Sequence, residues 1–208
     1  MERFKTIFWD FDGVWSKDVF YKSFMTIHPH IWDFIQTKVW GPEGEGRVEK
    51  WMRGDLTMDD INRHISAGTG MDFDVLTQTF LEDVARMQIE TRHIPIIRNL
   101  KKRGIKVGMI TNNMDVFNTI TLPKLKLDEL FNGVFNSFTY KKLKAEGLFD
   151  IAMQSLGNID YNLALLIDDS PRARVAFELK GGHTYAYSTF EDFQIWADKY
   201  LFGSDPVK

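Results

Sequence analysis

The chain has no cysteine among its 208 residues. Disulfides, thiolate metal sites and a cysteine nucleophile are thereby excluded, and the composition suits a reducing compartment. Long apolar runs are also missing: none approaches the roughly 18 residues of a membrane-spanning helix. There is no basic excess, since 26 Lys and Arg face 29 Asp and Glu for a net charge of -3. Nucleic acid is therefore a poor default partner. The N-terminus shows no signal-peptide pattern, because Asp10 and Asp12 interrupt its only early apolar stretch. The expectation is a soluble, cytoplasmic protein with neither a nucleic-acid nor a membrane partner. What is present is 44% hydrophobic residues, enough for a sizeable core in one large domain or a core with an insertion.

The most informative segment is Trp9-Asp10-Phe11-Asp12-Gly13-Val14, directly after the apolar run Thr6 to Trp9. Positions two apart on a strand share a face. Gly13 permits a sharp turn where that strand ends. Two carboxylates held together at a strand end are costly unless a cation shares them. The pattern therefore suggests a divalent metal site with a nucleophile and an acid/base. The plainer alternative is a charged strand-to-loop junction, since Asp and Gly commonly close strands.

Further short apolar runs recur at 106–110, 134–138, 163–167 and 184–187. Between them, helical spacing covers 93–103, closed by Gly104, and 146–156, closed by Gly157. A helix over 171–180 has Pro171 in its first turn and Gly181-Gly182 after its end. Strands alternating with helices predict an α/β fold: a doubly wound, mostly parallel sheet covered on both faces. Residues 16–88 read instead as helices alone, at 18–26, 31–39, 47–52, 58–66 and 73–88. Thr57-Met58-Asp59-Asp60 has the spacing of a capping box. Four of the six tryptophans, Trp15, Trp32, Trp40 and Trp51, fall on or beside this stretch. They read first as the core of a small helical subdomain and second as an aromatic wall for a substrate. The tail after Phe202 reads as loose.

Three more sites fall at predicted strand ends. Thr111-Asn112-Asn113 offers a hydroxyl and backbone amides suited to an anion, although such turns favour these residues anyway. Asp168-Asp169-Ser170 is a second carboxylate pair, at the edge where open parallel sheets bind ligands. Lys141-Lys142-Leu143-Lys144 is a basic cluster between them, or simply a solvated loop.

The order Asp-x-Asp-Gly, Thr-Asn, Lys, Asp-Asp resembles the haloacid dehalogenase (HAD) superfamily, most of whose members are phosphatases. The resemblance spans nearly the whole chain. Its specific parts are Phe8-Trp9-Asp10-Phe11-Asp12-Gly13-Val14 and Leu165-Leu166-Ile167-Asp168-Asp169-Ser170. The lysine motif departs from the pattern, with Lys144-Ala145 where relatives often have Lys-Pro; the distance from Ser137 favours Lys144 over Lys141 and Lys142.

The resemblance implies a catalytic core of 1–15 and 89–208, with a helical cap of 16–88 hinged near 14–17 and 88–92. It implies Asp10 as nucleophile and Asp12 as acid/base. Thr111, Asn112 and Lys144 would hold the phosphoryl group. Magnesium would sit on Asp10, on Asp12 through its backbone carbonyl, and on Asp169, with Asp168 acting through water or orienting its neighbours. Dehalogenases of this fold generally lack the second Asp, so Asp12 tilts the reading to a phosphatase acting on a small phosphorylated metabolite. A phosphomutase using the same residues and a non-catalytic binding protein remain alternatives, and the oligomeric state is left open.

Other candidates are weaker. His28-Pro29-His30 lacks a nearby acidic partner for a metal. His64, His93 and His183 read as surface or packing residues. The glycine-rich 41–47 segment follows no predicted strand and is no dinucleotide fingerprint. It reads as a flexible loop, or as one that carries Arg47 over the site. Arg172 and Arg174 read as surface charges.

Overall fold

A computed structural model describes residues 4–157 and 160–203. Strand β1 (Thr6–Trp9) is followed by helices α1 (Phe24–Ile27), α2 (Pro29–Ile35), α3 (Arg47–Met52), α4 (Met58–Thr69), α5 (Phe73–Ala85) and α6 (His93–Lys102). Then come β2 (Lys106–Thr111), α7 (Leu122–Leu125), α8 (Leu127–Leu130), β3 (Gly133–Asn136), α9 (Ser137–Tyr140) and α10 (Leu148–Ser155). The chain closes with β4 (Ala164–Asp168), α11 (Pro171–Glu178), β5 (His183–Ala186) and α12 (Phe190–Tyr200). Among the described residues, no helix is long and apolar enough to cross a membrane.

The five strands form one parallel sheet in the order β3-β2-β1-β4-β5. β1 is central and wholly buried, which is why its sequence is apolar without alternation. Its side chains nevertheless divide. Ile7 and Trp9 join Val107, Met109, Leu165 and Ile167 on one face, where α6 and α12 pack through Ile97, Leu100 and Phe193. Phe8 joins Ile110 and Leu166 on the other, under Phe149 and Met153 of α10 and Phe177 of α11. Each such side chain contributes about 1.5–3 kcal/mol of burial. Helices on both faces make the sheet doubly wound, as the pattern predicted. The strand order reverses beside β1, so a crevice opens at its carboxyl end.

The helices between β1 and β2 follow the sequence closely in places. The 47–52 helix is found at Arg47–Met52. The capping box forms, with Thr57 accepting from the Asp60 amide while Asp60 accepts from the Thr57 amide at 2.8 Å. The predicted 18–26 helix is corrected: only Phe24–Ile27 is helical. Tyr21 sits at φ 61°, left-handed, because its hydroxyl donates to Asn62 at 2.7 Å and its ring lies 4.3 Å from that of Phe80. Tertiary contacts override local propensity there. The predicted 31–39 helix starts at Pro29 and widens to π geometry over Gln36–Trp40. The 73–88 helix stops at Ala85.

One further prediction shifts. The 134–138 strand stops at Asn136, whose side chain caps the following turn by accepting from Phe138 at 3.3 Å. Helices α7, α8 and α12 were not anticipated. Thr189 caps α12, accepting from the Asp192 amide at 3.1 Å, so its start carried the same Thr-x-x-Asp signal as α4. Beyond Gly203, the expected loose tail lies outside the described residues.

Candidate active site

The carboxyl end of β1 places Asp10 one residue past the Trp9–Ile167 pair, with its amide donating to the Ile167 carbonyl at 2.9 Å. That ladder bond sets Asp10 beside Asp168, the last residue of β4. Lys144, in a short 3-10 turn (Lys144–Glu146), extends its ammonium between them. Its Nζ lies 2.7 Å from Asp10 Oδ2 and 2.7 Å from Asp168 Oδ2. All three are buried, at 6%, 0% and 3% exposure for Asp10, Asp168 and Lys144.

Each member is oriented by a neighbour. Asp10 Oδ1 accepts from the Phe11 amide at 2.7 Å. Asp168 Oδ1 accepts from the Ser170 amide at 2.8 Å, so both its oxygens are engaged. The Lys144 amide donates to Asn112 Oδ1 at 2.8 Å, which ties the lysine turn to the end of β2. Lys141 donates instead to the Gly54 carbonyl at 2.7 Å and lies 4.6 Å over the Phe138 ring. Of the three lysines, Lys144 is the one placed among the carboxylates.

Asp10, Asp168 and Asp169 each present an oxygen within 4.8 Å of the others'. No histidine belongs to such a cluster among the described residues. Gly13 is required here. Its φ is 79°, and a Cβ on it would lie 2.1 Å from Asp169 Oδ2, so any side chain would displace that carboxylate. Asp12 stands apart from the trio, with Oδ2 accepting from Asn113 Nδ2 at 3.0 Å.

One ammonium serves an excess of carboxylates, and the titration of the group reflects this. Burial alone would lower Lys144, but Asp10 and Asp168 more than reverse it and hold the amine above its ordinary value. Burial raises Asp10 well above the carboxylate range, against the pull of Lys144. The two directions agree once the ammonium is seen to be divided between Asp10 and Asp168. Burial also pushes Asp12 up to about 7, with Lys144 opposing and Asp169 adding. Asp169 is raised too, by burial and then by Asp168. The set is short of positive charge and made of hard oxygen donors, which fits a divalent cation such as magnesium.

A cavity of about 430 Å³ holds Asp10, Asp12, Asn112, Lys144, Asp169 and Arg172 in its wall. A second, of about 700 Å³, adjoins it and shares Asp12, Gly13, Met52 and Asp169. Thr111 is fully buried outside both walls, and its Oγ1 has no hydrogen-bond partner. Such an orphan is uncommon in a folded interior.

Sequence reasoning missed several residues. Asn113 rather than Asn112 reaches Asp12; both amides were in the quoted turn, but which one faces the site depends on how that turn is wound. Arg174, half-buried, does more than carry surface charge: its guanidinium donates to the carbonyls of Asp168 at 3.0 Å and Asp169 at 2.6 Å. Arg172 reaches Glu49 across the cavity at 3.2 Å. Arg47 braces its own loop by donating to the Lys38 and Gly44 carbonyls, each at 3.1 Å, and lines neither cavity.

The helices after β1 are fastened to this edge. Asp115 accepts from Trp51 Nε1 at 2.8 Å and from the Met58 amide at 2.9 Å. Ser137 Oγ donates to the Met52 carbonyl at 2.7 Å, and Arg53 forms a forked ion pair with Glu146. On the opposite side the two connecting segments run together, with the Glu90 amide donating to Trp15 at 2.7 Å and Ser16 Oγ to Gln88 at 2.9 Å.

Solved structures share this arrangement of sheet and helices. A predicted HAD-like family hydrolase from Porphyromonas gingivalis is 18% identical, with a TM-score of 0.75 over 98% of this chain and 100% of that one. The chain has the HAD-like hydrolase fold. A HAD family enzyme from Bacteroides thetaiotaomicron is similar at a TM-score of 0.74 and 18% identity, covering 93% of this chain and 98% of its own. A 2-haloacid dehalogenase from Pseudomonas syringae has the HAD-like fold at a TM-score of 0.56 and 18% identity, over 87% of this chain and 85% of that one. No family model and no curated protein sequence matches the chain.

Proposed function

We propose that this protein is a magnesium-dependent phosphatase that hydrolyses a small phosphorylated metabolite through an aspartyl-phosphate. The observation that carries the reading is the place of Asp12, which borders both cavities two residues from Asp10. A phosphate ester expels an alkoxide that needs a proton, whereas carbon–halogen cleavage releases a halide that does not. An acid at this junction therefore favours phosphoryl transfer over dehalogenation.

Asp10 would attack phosphorus as the bond to the ester oxygen breaks, and Asp12 would give that oxygen its proton. Water would then attack the aspartyl-phosphate and return a proton to Asp12, freeing phosphate and Asp10. Lys144 would offset charge on the transferring group, and the Asn112 amide, in the wall of the smaller cavity, would bind phosphoryl oxygens. Asp10, Asp169 and the Asp12 backbone carbonyl would hold magnesium, with Asp168 orienting Lys144. When bound, the cation shields the anionic nucleophile from the anionic phosphate. The Bacteroides thetaiotaomicron enzyme has a variant crystallised with magnesium and inorganic phosphate, which supports the reading. Residues 16–88 would serve as a cap over a core of 1–15 and 89–208, pivoting on the paired connecting segments.

The test is phosphate release from phosphorylated sugars, nucleotides and small acids, with and without magnesium, with Asp10→Ala alongside. Magnesium-dependent release that the variant loses is the expected result. A folded protein that releases nothing from any ester, or equal release by the variant, overturns it.

A further inference from the structure

The larger cavity is built differently from the charged one beside it. Trp32, Gln36 and Trp40 recur every four residues along α2 and its π-helical continuation, and all three line this cavity. The widening over Gln36–Trp40 keeps that stripe on one side, and π segments often mark functional sites. Trp40 is already committed, stacked near Phe20 at 6.4 Å and Trp51 at 6.2 Å. Trp51 and Trp15 are buried core residues. Trp32 differs from all of them. Among the described residues after β1 and before α6, it is the one aromatic that stacks on no ring and carries no cation over its face. It is only half-buried, its neighbour Gln36 is exposed, and the Gln36 amide can both donate and accept. Asp12, the residue proposed to protonate a leaving oxygen, lines the same cavity. A volume of about 700 Å³ accommodates a body the size of a nucleoside or a substituted aryl group.

We infer that the ester's leaving group carries a planar aromatic ring, which stacks on Trp32 with its polar edge toward Gln36, so that Trp32 selects the substrate. This rests on the phosphatase reading above. It names the chemistry of the alcohol and leaves open whether the ring is a nucleobase or an aryl group.

The experiment compares benzyl phosphate, ethyl phosphate and a nucleoside 5'-monophosphate on the magnesium-loaded protein. Their alcohols are all primary, so the comparison reads binding more than leaving-group chemistry. The expected kcat/KM for benzyl over ethyl phosphate is at least about 10-fold, the scale of one stacking contact. Trp32→Ala should cut that ratio about 10-fold, mainly through KM, and Trp32→Phe should restore most of it. Preference for the nucleotide over benzyl phosphate identifies a base, and the reverse identifies an aryl alcohol. Turnover of all three esters with a ratio near one, unmoved by Trp32→Ala, overturns the inference while the phosphatase stands. A binding arm separates the two failures: Asp10→Asn with magnesium is titrated with benzyl and ethyl phosphate. Preferential binding of benzyl phosphate without wild-type turnover sinks the phosphatase and keeps the aromatic site. Absence of both removes both.

Discussion

The carboxyl edge of the sheet and the helical wall facing it are made of opposite materials. At the edge, buried Asp10, Asp168 and Lys144 are held by hydrogen bonds of 2.7–2.8 Å, and almost every donor and acceptor is spoken for. On the wall, Trp32 and Trp40 offer apolar surface with few polar partners. The first region works through charge at fixed positions, where an error of an ångström or one missing group is decisive. The second works through area and shape, where a conservative change costs only a share of contact. Substitutions at the edge should therefore act on kcat and on stability together, and those on the wall on KM.

The largest effect should come from Asp10→Ala. It removes the proposed nucleophile, and phosphate release should fall by on the order of 10⁴-fold or more with the fold intact by circular dichroism. Measurable turnover within about 10-fold of wild type would mean that the edge does not form a covalent intermediate. Next is Lys144→Ala, which should cost about 100-fold or more in kcat, the scale for one charge-stabilising donor. It also strips the cation from two buried carboxylates, and losing one partner of a buried pair typically costs about 3–5 kcal/mol. A lower midpoint in urea unfolding should accompany the kinetic loss. Lys141→Ala, which breaks only the contacts to Gly54 and Phe138, should leave kcat within about threefold, as expected for an exposed cation.

Beside the paired connecting segments, stability should depend on the protonation of His93. His93 is wholly buried among Trp15, Tyr187, Phe190 and Phe193, with Nε2 3.2 Å from the Tyr187 hydroxyl. Burial pushes it down to about 4, against an upward pull from the backbone of Val14. The unfolded chain titrates His near 6.5, so between about pH 6.5 and 4 it binds more protons than the folded one. Stability from this group is complete above about pH 6.5 and is lost as pH falls toward 4. The loss from this group is about 2–3 kcal/mol between pH 7.5 and 4.5, read as the difference between wild-type and His93→Phe urea midpoints, because Asp12, raised to about 7, acts with the opposite sign in the same window. A His93→Phe variant should flatten that part of the profile; an unchanged slope would place the titrating group elsewhere.

The smallest effect should come from Arg47→Ala. Its guanidinium donates to the Lys38 and Gly44 carbonyls and lines neither cavity, so kcat/KM across several esters should stay within about twofold and stability within about 1 kcal/mol. A selective rise in KM would show that this loop reaches the substrate after all and would blur the boundary between edge and wall.

Much of the edge was legible because its signals are local. Asp10, Asp12 and Gly13 fall within four residues at a turn that demands Gly13, and Asp168 and Asp169 form a second acidic pair at the end of β4. Burial on both faces wrote the strands as short apolar runs. The helical segment was less legible. Arg47–Met52 and the Thr57 capping box announced themselves, yet Tyr21 broke a helix that its own sequence favours, because Asn62 and Phe80 pull it left-handed. The Thr189 cap of α12 was present in the sequence and overlooked.

By itself, then, the sequence determined the sheet, the two acidic strand ends and the helical character of what lies between β1 and β2, since all of these follow from periodicity and turn chemistry over a few residues. The spacing from Ser137 already favoured Lys144, which the structure places between Asp10 and Asp168; only the tertiary structure decided which asparagine steadies Asp12, and that Trp32 faces a cavity while Trp51 is core. Those choices depend on contacts between segments tens of residues apart, and no local spacing encodes which side chain a distant surface will bury and which it will leave open.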